Sequence, residues 1–222
     1  MHLRGCLRDK PAARESPDSR PFAWPEVYSL GICLCSAQHD VMTLMSLEAA
    51  PTDTIETARL TLRPITREEA VALLNGETPR GLTFAEGYPS EFSREVIDIF
   101  VGARAEEASG FTPWHVIRRN EGDLIGSIGW SSSHSGRAVV GYEIVEPLWG
   151  QGYASEALAG LIEYLFSRPE VDLIQADTFE GHVASRRVME KAGMTLFDTR
   201  TETVDGEEAV LVFYEIRRPA VT

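Results

Sequence analysis

The chain has 222 residues, 43% hydrophobic and 25% charged, with a formal net charge of −13, the balance of a soluble globular protein holding one ordinary domain plus an appendage. An acidic excess argues against a nucleic-acid partner, because phosphate contacts need a basic face; it suits a cationic small molecule or a basic protein, or simply keeps the chain soluble. No apolar run approaches the roughly 20 residues of a membrane helix, and "YSLGICLCSA" is too short and lacks the positive flank of an export signal, so no membrane contact is expected and the cytoplasm is the expected location.

Residues 1–50 show no sustained period of 2 or 3.6 and mix Pro, Ser, Arg and isolated aromatics. They read as a disordered N-terminal extension. Cys6, Cys33 and Cys35 all fall there, and the Cys33-x-Cys35 pair has neither a second pair nor the histidine spacing of a zinc site. No metal is expected.

From Thr57 the pattern sharpens. "ARLTLRPI" alternates and predicts a strand. "TREEAVALLNG" predicts a helix, opened by a Thr66–Glu69 capping box and stopped at Asn75-Gly76. "SREVIDIFVGARAEEA" is a second helix, apolar at Val96, Ile97, Phe100 and Val101. "TPWHVIRR" and "DLIGSIGWSS" are strands joined through Asn120-Glu121-Gly122, and "RAVVGYEIV" is another. Next comes "PLWGQGYASEALAGLIEYLF", a glycine loop running straight into a helix that ends near Ser167. "VDLIQADTFE" is a strand and "ASRRVMEKAG" a short helix stopped by Gly193. "MTLFDTRTETV" and "EEAVLVFYEIR" close the chain as a hairpin about Asp205-Gly206. Hairpins followed by strand-helix-strand imply an α/β fold with a mixed sheet covered by helices.

The glycine loop raises a chemical question. Gly150, Gln151, Gly152, Tyr153, Ala154 and Ser155 open the helix, whose first four N–H groups lack partners within it. Glycines let such a backbone approach a ligand, and the helix dipole favours an anion there. A tight turn explains the glycines equally well. The Walker-type loop needs a lysine and the dinucleotide fingerprint a third glycine, and both are missing.

The segment resembles the acetyl-CoA loop of the GNAT superfamily of N-acetyltransferases, written Gln/Arg-x-x-Gly-x-Gly/Ala. Here it reads Trp149-Gly150-Gln151-Gly152-Tyr153-Ala154, departing at Trp149. "GYEIVEPLWGQGYASEA" looks like the branch containing ribosomal-protein alanine N-acetyltransferases. That branch carries Asn-x-x-Ser on the next helix. "HVASRRVMEKAGM" supplies Ser185, Glu190, Lys191 and Gly193, with His182 in place of Asn. "ETARLTLRPIT" also matches. The resemblance spans about residues 55–218, read as a single domain. It implies a mostly antiparallel twisted sheet flanked by about four helices.

The resemblance further implies the partners and the site. Acetyl-CoA would rest its pyrophosphate on the amides of Gly150, Gln151, Gly152, Tyr153, Ala154 and Ser155. Its pantetheine would follow the backbone of Ile144 and Val145, with His182 nearby. A primary amine, on a protein N-terminus or a small molecule, would attack the thioester without a covalent enzyme intermediate. An α-amine asks less of a base than a lysine-like amine, since more of it is neutral at pH 7. Glu143 and Glu202 are the candidate bases; Glu143 should face away from Tyr142 and Ile144 by strand alternation. Each reads equally as an ordinary surface carboxylate. Many members place a Tyr acid seven residues after the Asn position, where this chain has Met189, so Ser185 is the candidate proton donor. The rival reading is a non-catalytic module of the same fold that binds CoA or acyl-CoA. The amine and the choice between monomer and homodimer stay open.

Overall fold

The computed structural model describes residues 53–102, 112–132, 136–204 and 207–219. The extension expected over residues 1–50, the three cysteines and the Asp205-Gly206 turn lie outside them. Among the described residues, strands β1 (Ile55–Glu56), β2 (Leu60–Pro64), β3 (Thr83–Phe84), β4 (Thr112–Arg118), β5 (Asp123–Ser132), β6 (Arg137–Ile144), β7 (Leu173–Phe179), β8 (Thr195–Val204) and β9 (Glu207–Arg217) form one mixed sheet. The helices are α1 (Arg67–Leu74), α2 (Glu91–Gly102), α3 (Tyr153–Ser167) and α4 (Val183–Lys191). β1 and β3 have two residues each, too few for an alternating pattern to mark them.

Local chemistry sets the element ends. Thr66 and Glu69 form the expected reciprocal cap of α1, and Gly76 follows its end at φ 76°. α2 starts before Ser93, because the Ser90 hydroxyl accepts from the Ser93 amide at 2.9 Å.

The order across the sheet is β1-β2-β4-β5-β6-β7-β9-β8, with β3 beside β5. Only β3·β5 and β6·β7 pair in parallel among these strands. α3 is the crossover that parallel neighbours require. It buries Ala157, Leu158, Leu161, Ile162 and Leu165 in one cluster with Leu60, Leu62, Trp114, Val116 and Val140. On the opposite face, Ala70 and Leu73 of α1 and Ile97 of α2 join Ile65, Tyr88, Leu124 and Val145. Strand alternation decides which residue serves which face. Tyr142 therefore packs toward α3 and α4, whereas Glu143 turns toward α2.

One local departure from regular pairing builds the site. β6 and β7 pair only from Arg137↔Leu173 to Val139↔Gln175. Beyond that, β6 continues to Ile144 against β5, while β7 continues to Phe179 against β9. A wedge opens between their carboxyl-terminal halves. β5 follows β6 to its end closely: a Cβ on Gly126 would fall 2.1 Å from the Glu143 carbonyl oxygen, a position no side chain can occupy.

Candidate active site

The glycine loop stands at the open end of the wedge. Gly150 and Gly152 adopt φ 75° and 84°, a region that costs a residue with a Cβ about 1–2 kcal/mol. Gly152 is the N-cap of α3 and has no side chain to cap it. The first main-chain bond of this helix runs from the Glu156 amide to the Gly152 carbonyl, 3.1 Å. Among the described residues, no acceptor takes the amides of residues 150–155. Six donors and the positive end of a 15-residue helix thus face outward. They fit a diphosphate, which needs several N–H groups and room beside them.

The loop is held from two sides. The Trp149 indole N–H donates to the Ile144 carbonyl at the end of β6. Arg59, just before β2, donates through Nη1 to the Gln151 carbonyl at 3.0 Å and through Nε to Glu156 at 2.7 Å. Its guanidinium lies 4.4 Å over the Tyr153 ring. Arg59 was not singled out by the sequence, because it reaches the loop only through the fold.

Of the two strand residues expected to meet the pantetheine, only Ile144 keeps a main-chain donor on the wedge side. The Val145 amide donates to Ile125 of β5 at 2.9 Å, and its carbonyl accepts from Leu148 at 3.0 Å. Backbone groups alternate sides along a strand. The Ile144 and Tyr142 amides therefore point to the opposite edge of β6, where pairing with β7 has ended.

Glu143 is held by α2. The Ser90 hydroxyl donates to one carboxylate oxygen at 2.6 Å and the Ser93 hydroxyl to the other. Burial pushes its pKa above the ordinary carboxylate value, and the two serine bonds offset only part of that. Beside it, the buried Tyr88 hydroxyl lies 3.5 Å from His115 Nδ1. His115 Nε2 is 3.7 Å from Glu69, too long for a hydrogen bond. Burial lowers the His115 pKa, so the ring is neutral at pH 7. It is a core strand residue.

Across the wedge, Ser185 in the first turn of α4 is only 7% exposed. Its hydroxyl is 3.0 Å from the Tyr142 hydroxyl, which also donates to the Ser185 carbonyl at 3.1 Å. Burial raises the Tyr142 pKa, so the phenol stays protonated at neutral pH. Met189 is fully buried in the core. The tyrosine hydroxyl that α4 lacks is thus brought to Ser185 from β6. His182 is the N-cap residue of α4 without a capping side-chain bond. Its Nδ1 lies 3.2 Å from the Thr178 hydroxyl. Glu202 sits on β8 opposite Ala209. The β8–β9 hairpin overhangs the end of β7 there, since Val210 receives the Glu180 amide at 2.8 Å.

The structure therefore gathers Glu143, Ile144 and the residue 150–155 amides on one strand-loop-helix unit, and Ser185 across the wedge. Ser90, Ser93, Tyr142 and Arg59 join them through packing. The profile of the acetyltransferase (GNAT) domain matches residues 59–195, more than half of the chain. The uncharacterized N-acetyltransferase YoaA of Bacillus subtilis is 36% identical over 148 residues, covering 63% of this chain and 81% of its own. FsC-acetyl coenzyme A-N(2)-transacetylase of Aspergillus fumigatus is 27% identical over 194 residues, 78% of this chain and 79% of its own. Among solved structures, the ribosomal L7/L12 alpha-N-protein acetyltransferase RimL in complex with coenzyme A superposes with a TM-score of 0.58. That match has 18% identity and covers 74% of this chain and 98% of the other, a likeness of fold. The chain belongs to the GNAT acetyltransferase family.

Proposed function

We propose that this protein transfers the acetyl group of acetyl-CoA directly to a primary amine, on a protein N-terminus or a small molecule. The observation that carries the reading is the row of unclaimed amides at residues 150–155 beside a strand edge that has lost its partner. Acetyl-CoA supplies an activated acyl group. The amides of residues 150–155 hold its diphosphate, and the Ile144 amide faces the side where a thioester oxygen can accept a hydrogen bond.

Glu143 removes the proton that the amine loses as its C–N bond forms. A carboxylate with a raised pKa is a better base than an ordinary one, and such a group contributes typically ~10²–10⁴-fold. Ser185 gives a proton to the sulfur as the C–S bond breaks and regains one from solvent, to which Glu143 returns the proton it took, while the Tyr142 hydroxyl keeps its own proton and holds the Ser185 side chain in place. Proton and acyl group both balance without a covalent enzyme intermediate.

Free-thiol release from acetyl-CoA, measured with a panel of amines, tests the reading. Release that depends on the amine is the expected result. Coenzyme A binding by calorimetry with no release for any amine makes the protein a non-catalytic binding module instead. Glu143→Gln should flatten the rise of rate with pH. If Glu202→Gln flattens it and Glu143→Gln does not, the base is Glu202.

A further inference from the structure

The peptide between Gln151 and Gly152 is trans, so its carbonyl and its N–H point in opposite directions. Arg59 Nη1 holds the Gln151 carbonyl at 3.0 Å. The Gly152 N–H therefore points away from Arg59, out of the loop. Glycine populates positive and negative φ about equally. A half-turn of this one peptide would take Gly152 from φ 84° to a negative φ, and would present a carbonyl where the N–H now stands. No side chain of the loop opposes that turn: Gly152 has none, and the Trp149 indole is tied to Ile144. Arg59 is itself fixed. Its main-chain amide and its Nε each donate to Glu156 at 2.7 Å, and the Thr57 hydroxyl donates to the same carboxylate at 2.6 Å. The Arg59 carbonyl accepts from the Arg119 amide at 2.9 Å. With the Tyr153 ring beneath the guanidinium, the fork is held between the entry to β2 and the first turn of α3.

We infer that Arg59 is the positioning residue of the cradle: by holding the Gln151 carbonyl from behind, it locks the Gly152 N–H toward the diphosphate. This rests on the reading of residues 150–155 as the diphosphate site. A Walker-type lysine works by touching the phosphates. Arg59 works through the far end of a peptide and needs no contact with the ligand. A carbonyl that accepts from a cation also polarises its own peptide, which makes the N–H at the other end a stronger donor. The two glycines make the loop able to bind an anion, and Arg59 selects the one orientation that does.

Two measurements on the full chain test this. The first is a stability cycle, with Gly152→Ala made alone and together with Arg59→Ala and each variant melted in urea. With Arg59 present, alanine is held at φ 84° and should lower the folding constant about 5- to 30-fold, the strain of a Cβ in the left-handed region. Without Arg59 the peptide is free to turn, and the same substitution should cost less than about twofold. Relief of a clash cannot mimic this, because the added Cβ stands 3.5 Å from Arg59 Nη2, an ordinary contact. The second is calorimetry with coenzyme A and with pantetheine, which lacks the diphosphate. Arg59→Ala should weaken coenzyme A about 10- to 100-fold, the range of one hydrogen bond to a charged group, and pantetheine less than about twofold. Arg59→Lys keeps the charge and the stem over Tyr153, but its one ammonium cannot span Glu156 and the Gln151 carbonyl. It should behave like Arg59→Ala in both measurements. Equal costs of Gly152→Ala in the two backgrounds overturn the inference while the cradle reading stands, as does undiminished coenzyme A binding by Arg59→Ala or Arg59→Lys. A parent that binds no coenzyme A removes the cradle reading and the inference with it.

Discussion

The two sides of the wedge are built from different materials. The donor side uses main chain from one run of sequence, residues 144–155, where amide donors, two left-handed glycines and a helix start coincide. The proposed acceptor side uses side chains, Ser93 of α2 and Glu143 of β6 together with Ser90 just before α2. A site made of backbone is insensitive to side-chain chemistry and sensitive to φ. A site made of side chains behaves the opposite way. On the proposed assignment, substitutions on the acceptor side should move KM for the amine and those in the loop KM for acetyl-CoA.

The largest expected effect is on the acceptor side. Glu143→Gln keeps the shape and both serine neighbours but removes the proposed base. kcat should fall about 10²–10⁴-fold, with KM for acetyl-CoA unchanged. Steady-state kinetics with each substrate varied would check the split. A matching rise in acetyl-CoA KM would mean that the two sides are not separable.

The next effect is on the donor side. Gly152→Val forces a β-branched residue into φ 84° and sets its Cβ 3.5 Å from Arg59. A strained cap costs about 1–2 kcal/mol, and the cradle amides lose their alignment. KM for acetyl-CoA should rise roughly 10- to 100-fold, on the scale of 1.4 kcal/mol per factor of ten. Gln151→Ala, one residue away, contributes only backbone to the cradle and should move the same KM less than about threefold, within the range of neutral surface changes. Equal effects for the two variants would show that the loop binds through side chains.

What the sequence reveals follows the same division. Gly150-x-Gly152 stands directly before an amphipathic run, so the cradle is contiguous and legible. Alternation along "GYEIV" is enough to send Glu143 to the face opposite Tyr142. Ser90 and Ser93 are about fifty positions from Glu143 and meet it only because α2 packs on β6. No local period carries that. Val145 shows the limit within a strand: the family resemblance implies a place for it on the path of the pantetheine, but which edge its amide faces depends on the register with Ile125. Met189 rightly marks the absence of a tyrosine on α4, yet Tyr142 reaches Ser185 from another element, through the closing of the sheet. Two-residue strands such as β3 leave no pattern at all.

The smallest expected effect tests how α2 tunes the base. Ser93 donates to the charged form of Glu143, which lowers its pKa against the rise that burial imposes. Ser93→Ala removes that bond and should move the acid limb of the kcat/KM profile upward by about one pH unit, since a hydrogen bond to a charged group is worth roughly 1.5 kcal/mol. The same shift has a consequence for stability. A carboxyl whose folded pKa lies above its unfolded value, about 4.3, favours the folded state fully below pH 4.3, and loses that contribution as pH rises through the folded pKa. The parent should therefore lose stability over that interval, Ser93→Ala should lose more over a wider one, and Glu143→Gln should show neither loss. Urea melts across pH 4 to 9 would read this directly. An acid limb left in place by Ser93→Ala, with stability simply offset at every pH, would make Ser93 a packing residue of α2 that does not tune the base.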